Sequence, residues 1–165
     1  MRFRGVFCAV PGATDHDLRR GADSDKIIEL GICLFEYDRQ NGRIYRVLGS
    51  WEWFEDPGFS IPPEITKITG ITDKLVAGHR IDDRAVSDLL GRVVLVIAHN
   101  ADFDRRFLER RLPEFAAMHW ACSRFDIDWK AEGIRSSALE FVAYSLGSFT
   151  MGIGPRAIVG PPFMH

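Results

Sequence analysis

Any chemistry in this chain would start at Asp104. It ends the stretch Val93-Val94-Leu95-Val96-Ile97-Ala98-His99-Asn100-Ala101-Asp102-Phe103-Asp104, where an apolar run gives way to polar residues and then to a helical pattern. Open α/β sheets place their sites at the carboxyl ends of such strands. The positive end of a helix dipole favours an ionised carboxylate in the first turn, and an ionised carboxylate suits a hard cation such as Mg²⁺. The plainer alternative is an ordinary first-turn Asp, stabilised by the same dipole. Asp102 reads as solvated and His99 as a packed strand-end residue. Asp15 and Asp17 flank His16 with the spacing that points two carboxylates the same way in an extended chain. They follow Pro11-Gly12 in an expected loop, a poor place to preorganise a metal site, so they stand only as a weak alternative.

The elements that must position these groups follow from periodicity. Gly5 to Val10 is a short apolar run ended by Pro11-Gly12 and reads as a buried strand, followed by a polar, Asp-rich loop. Ile27 to Tyr37 is a second strand. Asn41-Gly42 signals a hairpin, and Arg43 to Phe54 returns as a third strand with Trp51 and Trp53 on one face. Pro62-Pro63-Glu64 opens a short helix that Gly70 ends. Asp82 to Leu90 is a helix stopped by Gly91, with Ala85, Val86, Leu89 and Leu90 apolar. Val93 to Ala98 reads as a strand buried on both faces. Asn100 then caps a helix from Ala101 to Leu112. Its Phe103, Phe107, Leu108 and Leu112 share one side. Trp120 to Ser123 is a possible edge strand, and Ser136 or Ser137 caps a last helix through Leu146. A hairpin meander followed by α/β alternation predicts a mixed sheet flanked by helices.

Ala98 to Leu108 (Ala-His-Asn-Ala-Asp-Phe-Asp-Arg-Arg-Phe-Leu) resembles the second exonuclease motif of the DnaQ-like (DEDDh) 3′–5′ exonucleases, the family of the DNA polymerase III epsilon subunit. Ile27-Ile28-Glu29-Leu30-Gly31 is similar to that family's second strand. Ile61 to Thr72 resembles a loop whose Thr69-Gly70-Ile71 part borders the terminal nucleotide, and Leu139 to Gly147 resembles the helix before the third motif. The resemblance spans most of residues 5–150 in the right order. It implies a ribonuclease H-like mixed five-stranded sheet with helices, in an exonuclease-like domain over residues 1–150 followed by an irregular tail over 151–165. It also implies two-metal phosphodiester hydrolysis with Mg²⁺ or Mn²⁺, Asp104 as metal ligand and catalytic carboxylate, and a single-stranded 3′ end as substrate. Thr69, Gly70, Ile71, His99, Asn100 and Phe103 would then touch the nucleic acid, and a polymerase subunit is a possible partner.

The family's other ligands do not follow in this sequence. Its first motif is Asp-x-Glu at the end of the first strand. Aligned on Thr14-Asp15, this chain has Cys8 and Val10 there, and a register two residues later offers Val10 and Gly12. Its third motif is His-Arg-Ala-x-x-Asp. Here Pro155 stands at the His position, Arg156-Ala157 are kept, and Gly160 stands at the Asp position. The final helix is expected to be missing. His119 and His165 lie outside the motif. One carboxylate cannot by itself hold two Mg²⁺ ions, which dehydrate reluctantly. The expectation is therefore a member with weak or no activity, using Mg²⁺ or Mn²⁺ if active and otherwise no cofactor. The alternatives are a non-catalytic module binding a nucleic-acid end or a polymerase partner, and a decayed, truncated copy.

Composition bounds the rest. A chain of 165 residues with 46% hydrophobic and 27% charged residues can bury one ordinary core. No apolar run reaches the ~20 residues of a membrane span, and the N-terminus lacks a signal-peptide pattern, so a soluble cytoplasmic protein without membrane contact is expected. Three scattered cysteines argue against a disulfide framework or zinc site. The net charge of −2 argues against gripping long duplex DNA by phosphate neutralisation. Arg105, Arg106, Arg110 and Arg111 could meet phosphates but read more plainly as a solvated helix face. Trp51, Trp53, Trp120 and Trp129 could stack on bases but read more plainly as packing.

Overall fold

The computed structural model of the protein describes residues 2–13 and 26–147. Asp15, Asp17, the third-motif remnant, the tail and any final helix all lie outside the described residues. Five strands form one mixed sheet in the order β3-β2-β1-β4-β5. They are β1 (Arg2–Ala13), β2 (Ile27–Asp38), β3 (Ile44–Phe54), β4 (Leu95–Ala98) and β5 (Trp120–Cys122). β1 and β2 are antiparallel, as are β2 and β3, whereas β4 runs parallel to both β1 and β5. This is the predicted ribonuclease H-like arrangement.

Five α-helices complete the described chain: α1 (Pro63–Thr69), α2 (Asp73–Val76), α3 (Asp83–Leu90), α4 (Ala101–Arg111) and α5 (Leu139–Ser145). Gly70 ends α1 in the left-handed region, with its N–H donating to the Thr66 carbonyl. Asp82 caps α3 by accepting from the Ala85 N–H at 2.9 Å. The main core lies between the sheet and α3 and α4. Val6, Cys8, Leu30, Ile32, Leu34 and Val96 of the strands meet Val86, Leu89, Leu90, Phe107 and Leu108 there. A smaller cluster of Ile28, Ile61, Ile71 and Val76 seats α1 and α2.

Several expectations need correcting. β1 does not stop at Pro11-Gly12 but continues to Ala13, with pairing slipping on either side of Gly12. Proline lacks an N–H and is tolerated in a strand where a bulge breaks the ladder. β4 is only four residues long and alternates between buried and half-buried, so it is not covered on both faces. Helix α2, with Thr72 accepting from the Leu75 N–H, went unforeseen because one turn carries too little periodicity. Neither Ser136 nor Ser137 caps α5; Ala138 holds that position without a side-chain bond.

Gly5 sits at a tight point of the sheet. A Cβ there would lie 2.8 Å from Cζ of the Phe35 ring and 3.3 Å from the Leu95 carbonyl oxygen. Phe35 is buried and Leu95 O is backbone, so neither gives way easily. Gly5→Val is expected to lower stability by about 1–3 kcal/mol through overpacking, seen as a lower urea midpoint at unchanged slope. A wild-type midpoint in that variant would show the contact to be soft.

Candidate functional site

Helix α4 turns one face to the sheet: Ala101, Asp104, Phe107 and Leu108 are its buried residues, spaced three or four apart. Asp104 is thus a carboxylate set into an apolar stripe, 6% exposed. Across from it on β1 lies Cys8, 0% exposed. Burial, then the charge of Asp104, then Cys33, push the Cys8 thiol far above its ordinary value, so it stays protonated. Cys8 is the residue that alignment on Thr14-Asp15 put at the first-motif Asp position, and the fold brings it to Asp104.

That donor set does not fit a pair of hard divalent ions. A neutral thiol is not a Mg²⁺ ligand, and among the described residues no three His, Cys, Asp or Glu side chains gather where they could hold a metal ion.

The other predicted site residues are engaged in the fold. The Thr69 hydroxyl donates to the Ile65 carbonyl at 2.8 Å and accepts from the Ile71 N–H at 3.1 Å. Gly70 is the left-handed cap of α1, and Ile71 is buried in the smaller core cluster. Helices α1 and α4 both approach β1, so the Thr69–Ile71 turn and Asp104 belong to elements on a shared strand. His99 is tied at both ring nitrogens, Nε2 to the Ser137 carbonyl at 2.8 Å and Nδ1 to the Ser123 hydroxyl at 3.1 Å. Nε2 donates to the Ser137 carbonyl, and in the neutral ring Nδ1 then accepts. Burial holds it below the usual histidine value, reinforced by Arg124 and opposed by the Ser137 bond.

Asn100 does not cap α4 with its side chain. It adopts φ 72°, ψ 52° and is the sole non-glycine residue with positive φ among the described residues. Asn tolerates this conformation, and the sharp reversal aims the first turn of α4 at β1. Phe103 packs on the main core with its ring 4.9 Å from that of Phe107. The arginines of α4 are also occupied. Arg105 pairs with Glu109, Arg106 lies over Phe103 and Phe107, and Arg111 is locked to Glu55 and Asp83. Of the tryptophans, Trp53 and Trp120 pack on the core, Trp129 donates to the Ser123 carbonyl at 2.8 Å, and Trp51 lies exposed over Gly49.

Two polar features escaped the sequence reading. At the end of β5, Cys122 Sγ accepts from the Ala101 N–H at 3.4 Å. Burial pushes its thiol up, but backbone N–H groups of Ala101, Phe125, Arg124 and Asn100 outweigh that and hold it below the ordinary value. On the strand pair β2–β3, Glu29 is 4% exposed and shares a hydrogen bond with Glu52. Burial first, then that bond and the Glu52 charge, push the Glu29 carboxyl up to about 8. Cross-strand proximity signalled this pair only once the β2–β3 register was known, with Gly31 opposite Glu52.

The Glu29 proton has a consequence for stability. Between the ordinary glutamate value of 4.5 and about 8, the unfolded chain releases the proton while the folded chain keeps it. Stability contributed by this group is full below that window and falls as pH rises through it. Glu29→Gln keeps a donor toward Glu52 and removes the titration. It is expected to raise stability at pH 7 by more than about 1 kcal/mol and to flatten the pH dependence. Urea midpoints at pH 5 and 8.5 check this, and equal slopes in both proteins would count against it.

Comparison with known proteins agrees with this architecture. No family model matches the chain. It is 30% identical over 135 residues to the PolC-type DNA polymerase III of Thermotoga petrophila, covering 79% of this chain and 9% of that one. It is 32% identical over 93 residues to the DNA polymerase III subunit epsilon of Treponema pallidum, covering 55% and 40%. The chain therefore spans less than half the length of these curated relatives. Among solved structures it resembles E. coli Exonuclease I in complex with an oligonucleotide, with a TM-score of 0.62, 14% identity and coverage of 94% and 38%. It also resembles Exonuclease X in complex with 5′ overhanging duplex DNA, with a TM-score of 0.56, 18% identity and coverage of 98% and 79%. At those identities the structures establish the shared fold, and the polymerase III relatives supply the lineage. The strand order, the motif at Ala98–Leu108 and these relatives agree, and together they support kinship of the chain with the DnaQ-like 3′–5′ exonucleases.

Proposed function

We propose that this chain binds the 3′ end of single-stranded nucleic acid and hydrolyses phosphodiesters weakly or not at all. The supporting observation is the buried, protonated Cys8 thiol beside Asp104, where a second carboxylate would be needed. In a low-dielectric pocket one carboxylate and a neutral thiol do not supply the two negative charges that neutralise a divalent ion. Residual activity with Mg²⁺ or Mn²⁺ would require ligands beyond the described residues, and the sequence offers Asp15 and Asp17. A missing acid also removes a charge that would repel phosphates when no metal lies between them. A polymerase subunit is the protein partner most in keeping with relatives named as polymerase III chains. Among the described residues no helix is long and apolar enough to cross a membrane.

The test is a 5′-labelled single strand incubated with Mg²⁺ or Mn²⁺, alongside binding in EDTA. The expected outcome is metal-independent binding without a degradation ladder. Robust degradation that Asp104→Ala abolishes would restore the enzymatic reading and overturn this one.

A further inference from the structure

The end of the sheet where β1 begins lies away from Asp104, which faces Cys8 six residues along that strand. There the start of β1, the end of β2 and the start of β3 bring together Arg2, Arg4, Arg39, Arg43 and Arg46. Among the described residues the acids on these strand ends are Glu36 and Asp38. Arg4 and Arg46 both bond to Glu36, at 3.3 and 2.9 Å, so one buried carboxylate is shared between two guanidinium groups. Five arginines against two acids leave a strongly positive end on a chain whose net charge is −2. The excess is local and is not a reflection of composition.

The arginines are also held in a particular way. Arg2 lies over the Tyr45 ring, 4.9 Å from its centroid, and Arg39 lies over Phe3 at 5.6 Å. Tyr37 packs between Phe3 and Phe35. Guanidinium planes resting on aromatic faces stay exposed without being free to collapse onto nearby acids. Arg2, Arg39 and Arg43 are exposed, and the side chains of Arg4 and Arg46 are 46% and 61% exposed.

We propose that this end of the β1–β2–β3 ribbon is a second nucleic-acid contact, gripping the phosphate backbone of a strand whose end lies near Asp104. Taking nucleic acid as the ligand rests on the function proposed above. From Arg2 to Cys8 is six residues of extended strand, about 20 Å. At ~3.4 Å per nucleotide of stacked strand, that distance spans about six nucleotides. The contact reads charge and shape, not sequence, because guanidinium–phosphate pairs carry no base information.

The test uses Arg39→Glu/Arg43→Glu, which leaves the Glu36 pairs intact, and a covalently closed single-stranded DNA circle, which has no 3′ end. The expected result is that the double variant binds the circle about tenfold or more weakly, with a salt slope reduced by about 2. Its affinity for a linear trinucleotide, too short to reach the ribbon end, is unchanged. Equal binding of the circle by both proteins, or no binding by either, overturns the ribbon-end contact. So does a preference for phosphatidylserine vesicles over the circle. Circle binding without trinucleotide binding would instead sink the end-binding function and leave this contact standing, so the two failures are distinguishable. Unchanged melting of the double variant confirms that the loss is not unfolding.

Discussion

Replacing Cys8 by Asp is expected to turn a metal-indifferent protein into a metal-stabilised one. Cys8 is 0% exposed among Val6, Leu30 and Ile32, and Asp104 faces it from α4. A second carboxylate there puts two like charges into an apolar pocket. One must take up a proton or both must be neutralised, and the cost without metal is about 3–5 kcal/mol. Mn²⁺ supplies the neutralising charge. Metal at a hundred times its dissociation constant returns about 2.7 kcal/mol, so Cys8→Asp should melt well below wild type in EDTA and recover most of the difference in Mn²⁺. Wild type should shift little. Cys8→Asn is the control, since it introduces polarity without charge and should be destabilised in both conditions alike. Melting curves with EDTA and with Mn²⁺ decide the matter. A wild-type shift as large as that of Cys8→Asp would mean that a competent ligand set already surrounds Asp104.

Arg111→Ala is expected to cost about 2–3 kcal/mol, most of it from stranding Glu55. Arg111 Nε donates to Glu55 Oε1 at 2.7 Å, and its Nη2 donates to Glu55 Oε2 at 2.9 Å and to Asp83 Oδ1 at 2.8 Å. Glu55 Oε2 also accepts the Ile81 N–H at 3.1 Å, so one fork ties α4 to the end of β3 and the start of α3. The side chains of Arg111 and Glu55 are 22% and 16% exposed, which puts the figure below that of a fully buried pair. Arg111→Lys keeps the charge but loses the planar fork and should fall between wild type and Ala. The Asp83 carboxyl is held below its ordinary value, chiefly by the Arg111 bond. That contribution is present above the unfolded carboxylate range and is lost as pH falls through the folded value. Arg111→Ala should therefore flatten the acid side of the stability profile. Urea midpoints at pH 7 and pH 3 test both statements, and an Ala variant as stable as wild type would reduce this network to surface decoration.

Apart from α2, the order of strands and helices was legible in the residues, as were the family resemblance and the place of Asp104 in the first turn of α4. The apolar runs at Ile27–Tyr37 and Val93–Ala98 and the helical spacing of Phe107 and Leu108 are local, set by a few dihedral angles and by which face must leave water. Local rules failed where tertiary context overrode them. Pro11-Gly12 looks like a stop, yet neighbouring β2 carries β1 past it through a bulge. Asn100 looks like a cap, yet the turn from β4 into α4 places it at positive φ.

Which polar groups meet was decided by the tertiary structure alone. Arg111 and Glu55 are 56 residues apart, and nothing near either names its partner. Glu29 reads as an ordinary strand acid until the β2–β3 register sets Glu52 beside it. The basic ribbon end is invisible in a net charge of −2, because its arginines come from separate stretches of the chain. Charge and protonation depend on distance in space and on exclusion of water, and sheet pairing fixes both over separations that no sequence window spans.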